Sequence, residues 1–419
     1  IAGRSSQGAA AGADRAAHPA VGGGTVRIVL VSTHFPPTEV GGSAESVRLT
    51  AVALGLAGHH VTVVTPAWSP QAAPTGPYRV VPVPMPWPTD HGSERRFLDL
   101  RYHATFGAAV AALAPEADMI HAQDRRAILA TRLGFRGKPS WVTLRDVGLL
   151  CPVGLCLWDG EVPHACQGLQ AHWQEQTRFL DGYHGGGFQS ARRARLWLRR
   201  GWLALERKIA KRFDGIAFVS EGLRLVHHAS GFQAEMEAIL PSPIEPPLCP
   251  PGAGVVPAAL FVGKASIGKG WGTFTDAARR RMDLVFAYAG SPVQDSFPRN
   301  VLQLGWIPRD WLGTVYRRAR CVVVPSICPD GLPRVALEAQ AAGGIVIGSD
   351  AGGIPETFEE GVTGFGFPRG DARALADRIH TVCELSPGER HEFSVRAQER
   401  AERLFGLRAV VKAHAQAYS

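Results

Sequence analysis

An α/β fold built on two parallel-sheet units is what this sequence predicts, and three observations carry it. Short runs rich in β-branched residues end in glycine- or proline-bearing loops and are followed by helical patterns, the alternation that builds parallel sheets. The alternation breaks once, in the proline-rich residues 241–257, and then restarts as a fresh α/β unit. A chain of 419 residues with 45% hydrophobic content is long and apolar enough for two cores.

In the first unit, VRIVLVS at 26–32 is a nearly continuous apolar strand, as a strand buried on both faces should be. His34-Phe35-Pro36-Pro37 and Gly41-Gly42 follow, then a helical pattern through Val47, Ala51 and Leu54 that Gly58 stops. Residues 60–65 supply a second strand and complete a βαβ unit. Ligands of such sheets gather at the carboxyl ends of the strands, so the Gly41-Gly42 loop faces a cleft; a glycine pair alone also suits a plain turn. Residues 119–122 and 141–144 are further short strands. His121, in the first of them, fits either a packed or a catalytic role. Arg145-Asp146, after the second, is by itself compatible with a local ion pair. RRARLWLRRGWLALERKIAKRF at 192–213 is a basic amphipathic helix whose Leu198, Trp202, Leu205 and Ile209 share one face. That face suits an anionic membrane surface or the neighbouring sheet. A strand follows at 216–219, and Ser220 is placed to cap the next helix.

The second unit opens with a strand at 258–262 and the loop GKASIGKG, which carries Gly263, Lys264 and Lys269 but lacks the Walker A spacing. Strands at 284–289 and 301–305 lead to Trp306-Ile307-Pro308. The most informative stretch is CVVVPSICPDGLPRVALEAQAAGGIVIGSDAGGIPE at 321–356. Its valine run is a buried strand, and Gly331-Leu332-Pro333 opens a helix, with proline where its missing N–H costs nothing. Val335, Ala339 and Ala342 give that helix a small-residue face that can lie close on a sheet. A free helix N-terminus after a glycine turn is an anion site, because unpaired N–H groups and the helix dipole point at one spot. Asp330 stands at its mouth and Glu338 lies eight residues on.

That spacing, with the Glu-Ala pair, the double glycine and the Gly-Gly-x-x-Glu ending at Glu356, resembles the Glu-x7-Glu signature of retaining glycosyltransferases of family 4. The resemblance spans most of residues 25–400. It implies the GT-B fold, two Rossmann-like parallel-sheet domains facing across a cleft. With the Ala-, Gly- and Ser-rich first 24 residues read as a disordered arm (1–24) and the proline-rich run as a hinge linker (246–257), the chain divides further into an N-terminal acceptor-side domain (25–245), a C-terminal nucleotide-sugar domain (258–400) and a helix (401–419) that returns to the first domain. By the same resemblance, Lys264 and Lys269 bind the donor diphosphate, Glu338 takes the ribose hydroxyls, Asp330 contacts the donor sugar, and Gly41, Gly42 and Gly263 approach the phosphates. Leu332, Pro333 and Val335 fall with Gly331 in the donor-binding turn, and Ile307 falls where the base is cradled. The chain departs from the family twice: Asp330 replaces a glutamate, and Arg145 stands where a histidine is common. The implied reaction moves a sugar from a nucleotide-diphosphate sugar to an unidentified acceptor with retention, the departing phosphate oxygen taking the acceptor's proton. A nucleotide-sugar 2-epimerase and a non-catalytic nucleotide-sugar-binding partner are the alternatives.

No Asp-x-Asp occurs, so a metal held by paired carboxylates is unsupported, no cofactor is expected beyond the donor, and leaving-group charge falls to Lys264, Lys269 and the helix start near Gly331. The net charge of +8 suits anionic small ligands or an acidic membrane face; nucleic acid is not an expected partner. Seven cysteines, mostly scattered, fit a reducing, cytoplasmic setting, with peripheral membrane contact through 192–213 as an option. Cys151, Cys156 and Cys166, with His164 between, suit either a structural zinc or a loop with free thiols, since tight Cys-x2-Cys pairs are missing. The polar, glycine-rich residues that follow, to Gly187, read as a flap over the acceptor side.

Overall fold

The computed structural model describes residues 24–37, 41–67, 74–85, 100–135, 137–151, 189–252, 255–293 and 297–419, the side chains of 189–199 excepted. The arm expected over 1–24 lies outside these residues apart from Gly24, as do Cys156, His164, Cys166 and the segment to Gly187.

The first sheet has seven strands, all paired in parallel. They are β1 (Arg27–Val31), β2 (His60–Ala67), β3 (Arg79–Pro84), β4 (Met119–Ala122), β5 (Ser140–Leu144), β6 (Gly215–Phe218) and β7 (Glu237–Ile239), in the order β3-β2-β1-β4-β5-β6-β7. Strands β1, β4, β5 and β6 are buried nearly throughout, which is why their sequences read as continuous apolar runs. The two outermost strands were not legible as strands. β3 carries two prolines and β7 has three residues, and both compositions are tolerated only at a sheet edge. Helix α1 (Gly42–Leu56) follows β1, α2 (Leu100–Leu113) and α3 (Ile128–Gly134) flank β4, and α4 (Gln189–Ala210) and α5 (Glu221–Ala229) flank β6.

In α4, Leu203, Glu206 and Ala210 are buried, the Trp202 ring lies 5.5 Å from that of His103, and Arg125 reaches Glu206 at 3.7 Å. Of the predicted stripe, Trp202 and Ile209 pack inward while Leu205 is exposed, so the buried face is turned toward Leu203, Glu206 and Ala210. Leu205 and Lys208, and just past the helix end Lys211 and Arg212, face outward, with the Lys211 ammonium over the Phe232 ring.

The second sheet has six strands, also parallel, in the order β10-β9-β8-β11-β12-β13. They are β8 (Ala259–Val262), β9 (Phe286–Ala289), β10 (Val301–Gly305), β11 (Cys321–Val324), β12 (Val346–Ser349) and β13 (Gly364–Phe367). Helices α6 (Trp271–Arg280), α7 (Arg309–Arg318), α8 (Arg334–Ala341) and α9 (Ala372–Glu384) cover it. Asp371 caps α9 by accepting from the Arg373 and Ala374 N–H groups at 2.9 Å. Helix α10 (Pro387–Phe405) packs on α8, and α11 (Leu407–Tyr418) turns back onto α1. Where α10 gives way to α11, the Ile244 N–H of the proline-rich segment bonds the Phe405 carbonyl at 2.9 Å.

Helix α11 is anchored by buried rings. The Tyr418 hydroxyl and His121 Nδ1 are 2.6 Å apart, His121 Nε2 and Thr143 Oγ1 are 2.7 Å apart, and His414 Nδ1 faces the Val410 carbonyl at 2.8 Å. His121 is thus a packing residue. Burial pushes His414 down to about 4, with a further push from Arg145, and drives His121 well below the usual histidine range, helped by His414 and Arg145. An unfolded chain protonates His414 near pH 6.5, whereas the folded chain resists until about pH 4. Stability present above that range is therefore lost as pH falls through it. Thermal melting between pH 7 and pH 4.5 is expected to show a falling midpoint, and His414→Gln a shallower fall; parallel slopes would remove His414 from the account.

Candidate active site

Each sheet changes strand direction of winding once, between β1 and β4 in the first and between β8 and β11 in the second. Loops diverge at such points and leave a crevice beyond the carboxyl ends of the strands. A cavity of about 310 Å³ lies there, lined from both sheets. The second sheet contributes Gly263, Lys264 and Lys269 after β8, Ser326 and Asp330 after β11, and Leu332, Pro333, Arg334 and Val335 at the start of α8. The first contributes Gly42, Ser43 and Ser46 of α1, Arg145 and Asp146 after β5, Val219 after β6, and Ser242.

The loop carrying the lysines is folded on itself. The Lys269 and Gly270 N–H groups bond the Ser266 and Ile267 carbonyls, and the Gly268 carbonyl accepts from the Ile327 and Cys328 N–H groups of the loop after β11. Gly270, with φ of 73°, has no alternative residue: a Cβ there would sit 1.8 Å from the Pro325 oxygen. This close approach sets Lys269 beside Asp330, and the two side chains form an ion pair. Partial withdrawal from water works to lower the Lys269 pKa, but the neighbouring Asp330 carboxylate outweighs it and the net direction is upward. Lys269 is therefore a fixed cation at neutral pH.

On the opposite wall Arg145 is framed by neutral groups: Nε donates to the Gln123 carbonyl at 3.0 Å, Nη2 to Gln123 Oε1 at 2.7 Å, and Nη1 to Ser242 Oγ at 3.2 Å. Asp146 turns instead to its own loop and accepts from the Gly148 N–H at 2.7 Å. Burial pushes the Arg145 guanidinium down to about 10, which still leaves it charged at neutral pH.

Glu338, one turn into α8, is not in the cavity wall. Its Oε1 accepts from Arg334 Nη2 at 2.9 Å and Nε at 3.1 Å, and its Oε2 from the Tyr316 hydroxyl at 3.3 Å. Gly41, Ile307 and Gly331 also fall outside the lining: Gly41 accepts the Glu45 N–H at the start of α1, Ile307 packs against the core beside α7, and Gly331 lies in the contact between the sheets. The expected set thus divides. Lys264, Lys269, Asp330, Arg145, Gly42, Gly263, Leu332, Pro333 and Val335 share one cavity, and the other four stand behind it.

Sequence reasoning missed the groups that join the two walls. Ser220, besides capping α5, donates to the Gly331 carbonyl at 2.5 Å. Glu356 accepts from the Glu221 and Gly222 N–H groups at 2.9 and 2.6 Å, so a carboxylate of the second unit caps a helix of the first. Burial pushes its carboxyl up against the pull of those two N–H groups. No local pattern betrays a partner 134 residues away. Arg334, by contrast, stands four residues before Glu338, a spacing that announces an ion pair on a helix.

Cys328, near the lysines, has its thiol pushed up to about 12 by burial and by Cys151, so it is no thiolate nucleophile at neutral pH. Among the described residues no group of three or more His, Cys, Asp or Glu could hold a metal ion. Cys151 is buried, and the rest of the expected zinc set is outside the described residues.

Two family profiles match this chain: a glycosyl transferase 4-like domain over residues 41–243 and the glycosyl transferases group 1 over residues 295–400. Curated relatives include an amylovoran biosynthesis glycosyltransferase of Erwinia amylovora, 34% identical over 20% of this chain and 22% of that protein. Another is a D-inositol 3-phosphate glycosyltransferase of Kribbella flavida, 35% identical over 23% of this chain and 22% of that protein. The matched stretch thus spans about a fifth of these relatives' length. Among solved structures, sucrose-phosphate synthase from Thermosynechococcus elongatus shares the fold, with a TM-score of 0.69 at 19% identity over 94% of this chain and 98% of that one. So does HepE of Anabaena, solved in complex with UDP and glucose, with a TM-score of 0.62 at 16% identity over 93% and 98%. The fold is therefore GT-B, two Rossmann-like domains facing across a cleft.

Proposed function

We infer that this chain, which belongs to the family 4-type glycosyltransferases, transfers a sugar from a nucleotide-diphosphate sugar to an acceptor in the cleft. The observation that carries the reading is the single cavity shared by Lys264, Lys269, Asp330 and Arg145. Two lysines and the start of α8 converge where a diphosphate would be held, and as it departs each donor lowers the barrier by roughly 2.7–4 kcal/mol. Asp330 sets the Lys269 ammonium through their ion pair. Glu338, held by Arg334 and Tyr316, keeps acceptor capacity for ribose hydroxyls. Arg145, across the cavity, offers its remaining N–H groups to the sugar. Retention is the proposed outcome, by analogy with the family's Glu-x7-Glu signature, with the departing phosphate oxygen taking the acceptor's proton.

The test is a thermal-shift panel of UDP-, GDP-, ADP- and TDP-sugars, followed by product analysis with the donor that stabilises the fold most. Donor-dependent stabilisation and acceptor-dependent release of nucleoside diphosphate are expected. Conversion of the donor without any acceptor would indicate an epimerase. Binding without turnover across many acceptors would indicate a non-catalytic partner. HepE is described in complex with UDP and with UDP-glucose, which makes UDP-sugars the first to try. A cytoplasmic setting, with the outward basic residues of α4 near an acidic membrane face, is part of the same proposal; no described helix is long and apolar enough to cross a membrane.

A further inference from the structure

Among the described residues, Arg334 is the one side chain that binds both the acid behind the cavity and the opposite unit. Its Nε and Nη2 form a fork on Glu338 Oε1, at 3.1 and 2.9 Å. Its Nη1 donates to the Pro243 carbonyl at 2.8 Å, in the segment that joins the units, and lies 3.4 Å from Ser46 Oγ on α1. The guanidinium is buried, at 9% exposure, yet its hydrogen bonds point in two structural directions. Room for it is left on the far side by Gly42, where a Cβ would come within 3.2 Å of Arg334 Cδ. Next to it on α1, Glu45 is bound by Arg309 of α7 at 2.9 Å, so the first turn of α1 is where the second unit rests.

We propose that Arg334 is a positioning residue: it fixes Glu338 to receive the donor's ribose and ties that acid to the docked arrangement of the two sheets. The first half rests on the donor-binding reading above; the second does not. A carboxylate oxygen that already accepts two charged hydrogen bonds is held in one rotamer, and Tyr316 steadies the other oxygen. Because the same guanidinium is anchored on Pro243 and Ser46, any opening of the cleft must release those bonds or drag Glu338 from its place. Ribose recognition and docking of the two sheets are thereby one event.

Two readouts on Arg334→Met, Arg334→Lys and Glu338→Gln test this. In the ligand-free protein, amide exchange at residues 242, 244 and 245 and in the first turn of α1 is expected to quicken in Arg334→Met, by about tenfold, the worth of one charged hydrogen bond. In competition binding of UDP against 2′-deoxy-UDP, and of GDP against its deoxy form, the wild type is expected to prefer one of the ribonucleotides by about tenfold. Arg334→Met should fall to the preference of Glu338→Gln, Arg334→Lys between them, and the double variant no lower than either. Arg334→Lys keeps the charge and loses the fork, so it remains informative if Arg334→Met does not fold. Unchanged exchange together with unchanged ribose preference in a folded Arg334 variant overturns the proposal. A wild type that takes up no nucleotide refutes the donor reading instead, and the exchange result still decides whether Arg334 ties the two units.

Discussion

Lys269→Ala is expected to lower sugar transfer by about 10²–10³-fold, the loss typical of one donor to developing negative charge, while the protein stays folded. The size follows from where the charge must go: a departing diphosphate gains charge in a cavity where Lys269 is fixed by Asp330 and by the folded loop beneath it. The fold should tolerate the change, because the Lys269 side chain is 50% exposed and a screened pair of this kind contributes at most about 1 kcal/mol. Release of nucleoside diphosphate, with and without acceptor, reads the chemistry, and a melting curve reads the fold. Lys269→Arg should recover part of the rate, since the charge survives with altered shape. Unchanged turnover in Lys269→Ala would place the leaving group elsewhere.

Gly331→Ala is expected to cost activity by forcing the two units apart. A Cβ at Gly331 would meet the Arg145 carbonyl at 2.2 Å and Val219 Cγ2 at 2.9 Å, both on the opposite unit. Neither neighbour is the free end of a flexible chain, so the units themselves must move apart. Opening by even about 1 Å can cost about 100-fold in rate when reacting groups come from both sides. Leu332, Leu337, Ala341, Ala401 and Phe405 pack with the core of the first sheet, so the melting temperature should fall while most of each core, built within its own sheet, stays folded. A crystal structure or small-angle scattering of the variant should show a wider cleft, and kinetics a lower kcat. Wild-type kinetics would mean that the contact at Gly331 has no part in assembling the site.

How much of this was legible beforehand depends on how local the signal is. Strands β1, β8 and β11 announced themselves because strands covered on both faces must be apolar throughout. Their ends could be read only to within a residue or two, and β3 and β7 were missed because edge strands tolerate proline and brevity. The lysine loop and Asp330 were legible because glycines and prolines mark the turns that present them. Glu338 was named from the sequence but its immediate partner was not, although Arg334 lies one helical turn away. Ser220 with Gly331, and Glu356 with the start of α5, were beyond reach, since each pair meets only once two separately folded units have docked. His121 was ambiguous for a similar reason: its partner Tyr418 arrives from 297 residues away.

The most direct measurement is the position of a bound nucleoside diphosphate, obtained by soaking crystals with the nucleotide that gives the largest thermal shift. The diphosphate is expected between the Lys264 and Lys269 ammonium groups and the first turn of α8, with the ribose turned toward Glu338. A nucleotide seated on any other surface, with the lysine cavity empty, would contradict the account.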